Sequence, residues 1–141
     1  MKINIRETKE DDFEDISFLL NDNKLKDSYF SKGKFLNMLN RNKGLCFVAE
    51  DNGKIIGSAF ATHDGAFRGY IQKVAVIEDY RRQGIASKLI EKIIQKLEEI
   101  EIPLIFCHAE KTNKASLELF KSLGFEIRDS HYLIDKGFKR R

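Results

Sequence analysis

The stretch Tyr70–Ser87, YIQKVAVIEDYRRQGIAS, passes from a β-type run into a basic, glycine-containing turn and then into a helix. The first amides of a helix have no intrahelical acceptor, and the helix dipole favours negative charge there. Gly84 lets a bulky anion approach the backbone, and Arg81 and Arg82 add positive charge. This layout predicts a phosphate site at the helix N-terminus. The alternative is an ordinary strand-to-helix turn with solvated arginines.

The turn differs from the two common nucleotide-binding loops. It is not followed by the Gly-Lys-Ser/Thr of a P-loop, and it does not contain GxGxxG. The sequence therefore gives little support for a nucleoside triphosphate or a dinucleotide, whereas a pyrophosphate on backbone amides fits the turn.

Length and charge limit the class of protein. The chain has 141 residues, of which 42% are hydrophobic and 33% charged, as is typical of a single soluble domain over residues 1–141. The net charge of +3 is too small to indicate nucleic-acid binding. The apolar runs are far shorter than the roughly 20 residues of a membrane helix, and no export signal is recognisable. We therefore expect a cytoplasmic protein without nucleic-acid or membrane partners.

The cysteine pattern indicates no disulfide and no metal site. Cys46 and Cys107 lie far apart, and neither belongs to a CxxC pair. Without an export signal, two reduced and buried thiols are expected. No Cys/His spacing typical of zinc is present, so we expect no metal.

The periodicity of apolar residues predicts a mixed α/β fold with helices on both faces of a sheet. A helix from Gly84 to about Glu101 joins strand Tyr70–Ile77 to strand Leu104–Ala109, which predicts a crossover with two parallel strands. The other expected elements are a strand at Ile3–Ile5, a helix to about Asn21, a short helix around Phe35–Leu39, a hairpin of Leu45–Glu50 and Lys54–Thr62, a helix from Thr112 or Asn113 to Ser122, and closing strands at Phe125–Arg128 and His131–Ile134.

Two short motifs resemble the acetyl-coenzyme A (acetyl-CoA) signatures of the GNAT N-acetyltransferase superfamily. The first is Arg81-x-x-Gly84-x-Ala86, and the second is Asn113-x-Ala115 followed by Leu119-Phe120 and Gly124-Phe125. The order of the elements also matches along essentially the whole chain. The resemblance implies a central, mostly antiparallel sheet of about six or seven strands, in which a parallel pair splays apart in the middle.

The same resemblance implies where the co-substrate acetyl-CoA would bind. Its pyrophosphate would lie on the amides of Arg82–Ser87, and its pantetheine arm would pair with the edge of Val74–Val76 like an added strand. The thioester would enter the gap between the splayed strands. The implied binding residues are Val74, Ala75, Val76, Arg81, Arg82, Gln83, Gly84, Ile85, Ala86, Ser87, Asn113 and Phe120.

Acetyl transfer to an amine needs a base, a hydrogen-bond donor for the oxyanion and a proton for the departing thiolate. A backbone N–H near Val76 is a candidate donor to the oxyanion. Many GNAT enzymes carry a tyrosine acid where this chain has Phe120, so Tyr132 on a closing strand is a candidate substitute. Its alternative is a half-buried strand tyrosine with a solvated hydroxyl group. His108 is the candidate base because histidine titrates near physiological pH, and a structural histidine is the alternative.

The leading hypothesis is an acetyl-CoA-dependent N-acetyltransferase that acts on a primary amine by direct transfer in a ternary complex. The acceptor could be a small molecule, a protein lysine or a protein N-terminus, and the resemblance makes a homodimer possible. A catalytically silent acyl-CoA-binding module is the alternative, because Phe120 cannot donate a proton. A small RNA-associated domain is supported only by the basic tail Lys139–Arg141.

Overall fold

The computed structural model describes residues 2–25 and 29–137, and the chain divides into two compact units, Met1–His108 and Ala109–Arg141. Among the described residues, no helix combines the length and the apolar character that crossing a membrane requires. The elements are β1 (Ile3–Glu7), α1 (Phe13–Asp22), α2 (Lys32–Arg41), β2 (Cys46–Asp51), β3 (Lys54–His63), β4 (Arg68–Val76), α3 (Ile85–Glu99), β5 (Leu104–Phe106) and α4 (Lys114–Ser122).

The strands of the first unit form one mixed sheet in the order β1-β2-β3-β4-β5. Neighbouring strands are antiparallel from β1 to β4, whereas β5 runs parallel to β4. The predicted hairpin is confirmed, because Asn52 and Gly53 join β2 to β3 with φ angles of 51° and 83°. These positive angles match the right-handed twist of a hairpin. The sheet confirms the predicted mixed α/β class.

Both faces of the sheet are covered by helices. The pattern of burial along β3 shows this, because all its residues from Ile55 to Ala61 are buried. On one face, Phe60 lies 6.4 Å from Phe35 of α2 between ring centroids. On the other face, a Cβ atom added at Gly57 would lie 3.3 Å from Cδ1 of Leu89 in α3. The absence of a side chain at Gly57 therefore lets α3 pack closely against β3.

The two predicted closing strands were wrong. Residues 125–137 contain no helix or strand, so the sheet of the described residues has five strands instead of six or seven. The parallel pair therefore lies at the edge of this sheet and not in its middle. The alternating apolar pattern was misleading because a strand also needs a neighbour for its backbone groups. The apolar side chains of this segment stay exposed: Ile127, Leu133 and Ile134.

Candidate functional site

The parallel strands β4 and β5 diverge after a short ladder. In the described part of the chain they pair only over Arg68–Tyr70, which lie opposite Leu104–Phe106. Strand β4 then continues to Val76, so its edge on the β5 side is unpaired from residue 71 to residue 76. We call these residues the open edge of β4. Unpaired backbone groups of this kind can accept an added extended chain.

Strand β4 contains a β-bulge along this edge. Ser58 of β3 lies opposite Ala75, whereas Phe60 lies opposite Gln72, so β4 carries one extra residue between these pairs. Lys73 within the bulge has a φ angle of 57°, which is unusual for a residue with a Cβ atom. The hydroxyl of Ser58 donates a hydrogen bond to the carbonyl oxygen of Lys73 at 2.7 Å. A bulge redirects the backbone groups that follow it.

The backbone of Val76 faces the open edge. Ile77 donates its N–H to the carbonyl of Ile56 on β3 at 2.9 Å, so the backbone N–H of Ile77 points toward β3. The backbone N–H and C=O groups of successive residues point to opposite sides of a strand, and those of Val76 therefore point away from β3. Arg81 supports this orientation, because its Nε donates to the carbonyl oxygen of Val76 at 3.0 Å. The N–H of Val76 consequently lies along the open edge.

The N-terminus of α3 presents amides without partners from its own helix. The first backbone bond of α3 runs from the N–H of Lys88 to the carbonyl of Gly84, so the amides of Ile85, Ala86 and Ser87 precede the helical ladder. Gly84 caps the helix in the left-handed region with φ of 76°, and no side chain caps it. The first turn also contains no acidic residue. This helix end can therefore bind an anion.

The first turn of α3 lies beside the end of β4. A Cβ atom added at Gly57 would lie 3.3 Å from the carbonyl oxygen of Ala75 and 3.4 Å from Cγ2 of Ile85. These contacts bring Ile85 and Ala75, both buried, to the same point of the sheet. The uncapped amides therefore begin close to the end of β4, the strand that carries the open edge.

Among the side chains of the turn, Arg81 has a structural role. Besides its bond to Val76, its Nη2 donates to Oδ1 of Asn23 at 2.9 Å, which ties the end of α1 to the end of β4. Asn23 was not predicted, since no local pattern relates it to Arg81. Arg82 is exposed and has a φ angle of 63°. Gln83 is exposed, and its side chain contacts the carbonyl of Asp79 at 3.5 Å.

His108 contacts a residue that the sequence reasoning missed. Its Nδ1 lies 3.1 Å from the hydroxyl oxygen of Tyr70, and the two ring centroids are 5.3 Å apart. Phe106 lies directly opposite Tyr70 in the parallel ladder, so His108 is two residues further along on the same face. Burial raises the pKa of Tyr70 above its ordinary value. The hydroxyl of Tyr70 is therefore protonated at neutral pH.

The two cysteines are free, as predicted, but only one is fully buried. Cys46 is buried, and burial raises the pKa of its thiol to about 12. Cys107 is half-buried, and burial raises the pKa of its thiol to about 11. Both thiols are therefore protonated at neutral pH and poor nucleophiles. The described residues contain no cluster of His, Cys, Asp and Glu that could hold a metal ion.

The second unit contains the residues of the second signature. The side chain of Asn113 accepts the N–H of Ser116 at 3.1 Å, so Asn113 caps α4 and not Thr112, the other predicted candidate. Phe120 is buried, and its ring lies 5.1 Å from that of Phe125 in an edge-to-face arrangement. Tyr132 is 92% exposed, and the strand expected to carry it is absent. The role of Tyr132 as a proton donor stays a prediction.

Three sequence comparisons extend these observations. A family model described as the acetyltransferase (GNAT) family matches residues 5–125. N-alpha-acetyltransferase MAK3 of Arabidopsis thaliana is 39% identical over 84 residues, which cover 57% of this chain and 44% of that protein. An acetyltransferase of Sodalis glossinidius is 35% identical over 98 residues, which cover 70% of this chain and 68% of that protein. The chain spans about half the length of the Arabidopsis thaliana protein and of N-alpha-acetyltransferase 30 of Dictyostelium discoideum, of which the matches cover 44% and 49%.

Solved structures show the same fold. A chain in the crystal structure of the NatC complex bound to Gag peptide and CoA is 30% identical, with a TM-score of 0.77 over 87% of this chain and 84% of that chain. Ard1 from Thermoplasma volcanium has a TM-score of 0.82 at 20% identity, over 91% of this chain and 85% of that chain. At that lower identity the likeness concerns the fold alone. Since the family model covers most of its length, the chain belongs to the acetyltransferase (GNAT) family.

Proposed function

We propose that this chain is an acetyl-CoA-dependent N-acetyltransferase that transfers the acetyl group directly to a primary amine in a ternary complex. The observation that carries the proposal is the adjacency of the open edge of β4 and the uncapped N-terminus of α3. One surface can therefore hold both an amide-bearing arm and a pyrophosphate. We further propose that residues 1–141 act as one such domain.

In this proposal the backbone binds acetyl-CoA. The amides of Ile85, Ala86 and Ser87 would bind the pyrophosphate, assisted by the helix dipole and by the exposed Arg82. The amide groups of the pantetheine arm would pair with the open edge at Val74–Val76. Arg81 would contribute indirectly, because it holds the carbonyl of Val76 and the end of α1 in place. Gln83, Asn113 and Phe120 stay predicted contacts.

The chemical step joins the amine nitrogen to the thioester carbon and breaks the C–S bond. The N–H of Val76 would stabilise the developing oxyanion, because it faces the open edge. The attacking amine must lose a proton, and the hydroxyl of Tyr70 with Nδ1 of His108 provides a route for it. The departing thiolate must gain a proton to leave as CoA. Cys107 would take no part, because its thiol stays protonated at neutral pH.

The acceptor that we propose is the α-amine of a protein N-terminus. Support comes from relatives named N-alpha-acetyltransferase at 34–39% identity and from the NatC chain at 30% identity, which was solved with a peptide and CoA. A protein lysine or a small-molecule amine is the alternative within the same chemistry. A cytoplasmic location and a homodimer also stay predictions.

A silent acyl-CoA-binding module is the second candidate function. Phe120 favours it, because phenylalanine stands where many members of the superfamily carry a tyrosine acid. The contact between Tyr70 and His108 favours an active enzyme, because it supplies titratable groups at the end of the β4–β5 ladder. Release of CoA with a panel of peptides and amines separates the two candidates. Tight binding of acetyl-CoA without release of CoA would favour the silent module.

A further inference from the structure

Ser58 is a fully buried polar residue in the middle of β3, with no exposed surface. Its hydroxyl donates to the carbonyl oxygen of Lys73 at 2.7 Å, across the sheet and within the bulge of β4. A buried hydroxyl without a partner costs about 1–3 kcal/mol. The bond therefore satisfies the hydroxyl of Ser58 and joins it to the backbone of the bulge.

Lysine does not favour the backbone conformation that position 73 adopts in the bulge. A φ angle of 57° places a residue with a Cβ atom in the left-handed region, at a cost of roughly 1–2 kcal/mol. Glycine is the usual residue for that conformation, and this chain has lysine. An interaction from outside β4 is needed to offset this cost. The hydrogen bond from Ser58 is such an interaction.

The bulge decides which amides face the open edge. With the extra residue in place, Val76 faces the open edge and Ala75 faces β3. Without it, the pairing of residues 74–76 with β3 would shift by one position, and these directions would be exchanged. The N–H of Val76 would then face β3. The geometry of the oxyanion donor thus depends on the bulge.

We propose that Ser58 is a positioning residue, whose hydrogen bond to Lys73 holds the β4 bulge and thereby directs the N–H of Val76 toward the thioester of acetyl-CoA. The inference rests on the proposed function for the identity of the ligand. The structural part of the inference rests only on the bulge and its hydrogen bond.

The first experiment tests the backbone conformation of the bulge and requires no measurement of enzyme activity. The three-bond coupling between the amide and Hα protons of Lys73 reports its φ angle, and amide shifts report the environments of Val74–Val76. In Ser58→Ala we expect the coupling to move toward that of an extended strand and the three amide signals to shift. An unchanged coupling and unchanged shifts in a folded Ser58→Ala variant would overturn the inference, even if the wild type has no transferase activity.

The second experiment measures kinetics. Because a displacement of about 1 Å can cost 10²-fold in rate, we expect Ser58→Ala to lower kcat by roughly 10- to 100-fold and to change KM for acetyl-CoA by less than about 3-fold. Val48→Ala is the matched control for lost packing beside Ser58, because Val48 is fully buried on β2 and lies directly opposite Ser58 without pairing with β4. We expect it to lower the melting temperature and to leave kcat within about 2-fold.

A double-mutant cycle separates positioning from general packing. Glycine adopts positive φ without strain, so Lys73→Gly makes the bulge less dependent on Ser58. In that background we expect Ser58→Ala to lower kcat by less than about 3-fold. An equal loss in both backgrounds would overturn the positioning role. If wild type binds no acetyl-CoA, the proposed function fails, whereas the coupling measurement still decides the inference.

Discussion

Nδ1 of His108 lies 3.1 Å from the hydroxyl oxygen of Tyr70, although the two residues are 38 positions apart in the chain. The contact arises because β4 and β5 are parallel with Tyr70 opposite Phe106, which places His108, two residues after Phe106, on the same face. Burial raises the pKa of Tyr70, so its hydroxyl can donate to Nδ1 while accepting a proton from another group. This is the geometry that the proposed proton relay through Tyr70 and His108 would require.

Removing either member of this pair tests the relay. We expect Tyr70→Phe and His108→Ala each to lower kcat by about 10²-fold, with unchanged affinity for acetyl-CoA. The double variant should lose no more than the worse single variant, because groups that act as a unit are not additive. His108→Ala should also change the shape of the pH–rate profile, because the proposed base is then absent.

The matched control for this pair is His131→Ala, which removes an exposed histidine of the second unit. We expect it to leave both kcat and the pH–rate profile unchanged. Multiplicative losses in the double variant, or a pH–rate profile that His108→Ala leaves unchanged, would exclude the relay.

The uncapped end of α3 gives a prediction on acetyl-CoA binding. Gly84→Asp places a negative charge at the proposed pyrophosphate position, and we expect the affinity for acetyl-CoA to fall by about 100-fold or more. Gly84→Asn has the same shape and tolerates a positive φ equally, so it should lose less than about 10-fold. A Cβ atom added at Gly84 meets no atom within 4 Å, so both variants should fold. Calorimetric titration with acetyl-CoA measures the difference.

Equal affinities of the Asp and Asn variants would show that charge at this position does not matter. The pyrophosphate would then lie elsewhere. Thermal melting of both variants checks that a loss of affinity does not reflect unfolding.

The thiol of Cys107 tests direct transfer against a covalent route. Because burial raises its pKa to about 11, less than about 0.1% of it is thiolate at neutral pH. We expect Cys107→Ser to keep kcat within about 3-fold, and we expect no acetylated enzyme after incubation with acetyl-CoA alone. Intact-protein mass spectrometry reads the second result. An acetyl adduct on Cys107 together with lost activity in the variant would contradict direct transfer.

The ion pair between Arg6 and Asp12 predicts how stability depends on pH. Nη1 and Nη2 of Arg6 donate to the carboxylate of Asp12 at 2.8 and 3.0 Å, and the N–H of Lys9 donates at 2.7 Å. Burial alone would raise the pKa of Asp12, but these hydrogen bonds outweigh it and hold the pKa below its usual range. The stabilisation is therefore complete above the unfolded pKa of about 4 and lost as the pH falls through the folded pKa.

We expect Asp12→Asn to lower the free energy of unfolding by about 1–3 kcal/mol at pH 7. The gap between the variant and wild type should narrow below about pH 4, because the unfolded chain then binds a proton at Asp12 that the folded protein still resists. Denaturant unfolding at pH 7 and pH 3 measures both values. A gap of equal size at the two pH values would contradict this origin of the stability.

Features coded by neighbouring residues were predictable from the sequence. The hairpin at Asn52 and Gly53, the amphipathic helix after Gly84 and the cap at Asn113 each depend on a few adjacent side chains, and the structure confirms them. The GNAT family was also recognisable, because its two signatures are short and local.

Contacts that depend on strand register were not predictable. Tyr70 meets His108 only because of the parallel ladder, and Ser58 meets Lys73 only because β4 contains an extra residue. The prediction of the two closing strands was wrong for a related reason. An alternating pattern of apolar residues does not show whether a neighbouring strand is present. The geometry of this site is thus determined by the pairing of strands that are distant in the sequence.

The most direct test of the proposed function uses wild-type protein, acetyl-CoA and two peptides of the same sequence, which contains a lysine. One peptide has a free α-amine, and the α-amine of the other is blocked. We predict CoA release equal to the amount of peptide acetylated, with the acetyl group on the α-amine by mass spectrometry, and no product from the blocked peptide. Binding of acetyl-CoA with no CoA release above hydrolysis, for these peptides and for a panel of small amines, would contradict the proposed transferase activity.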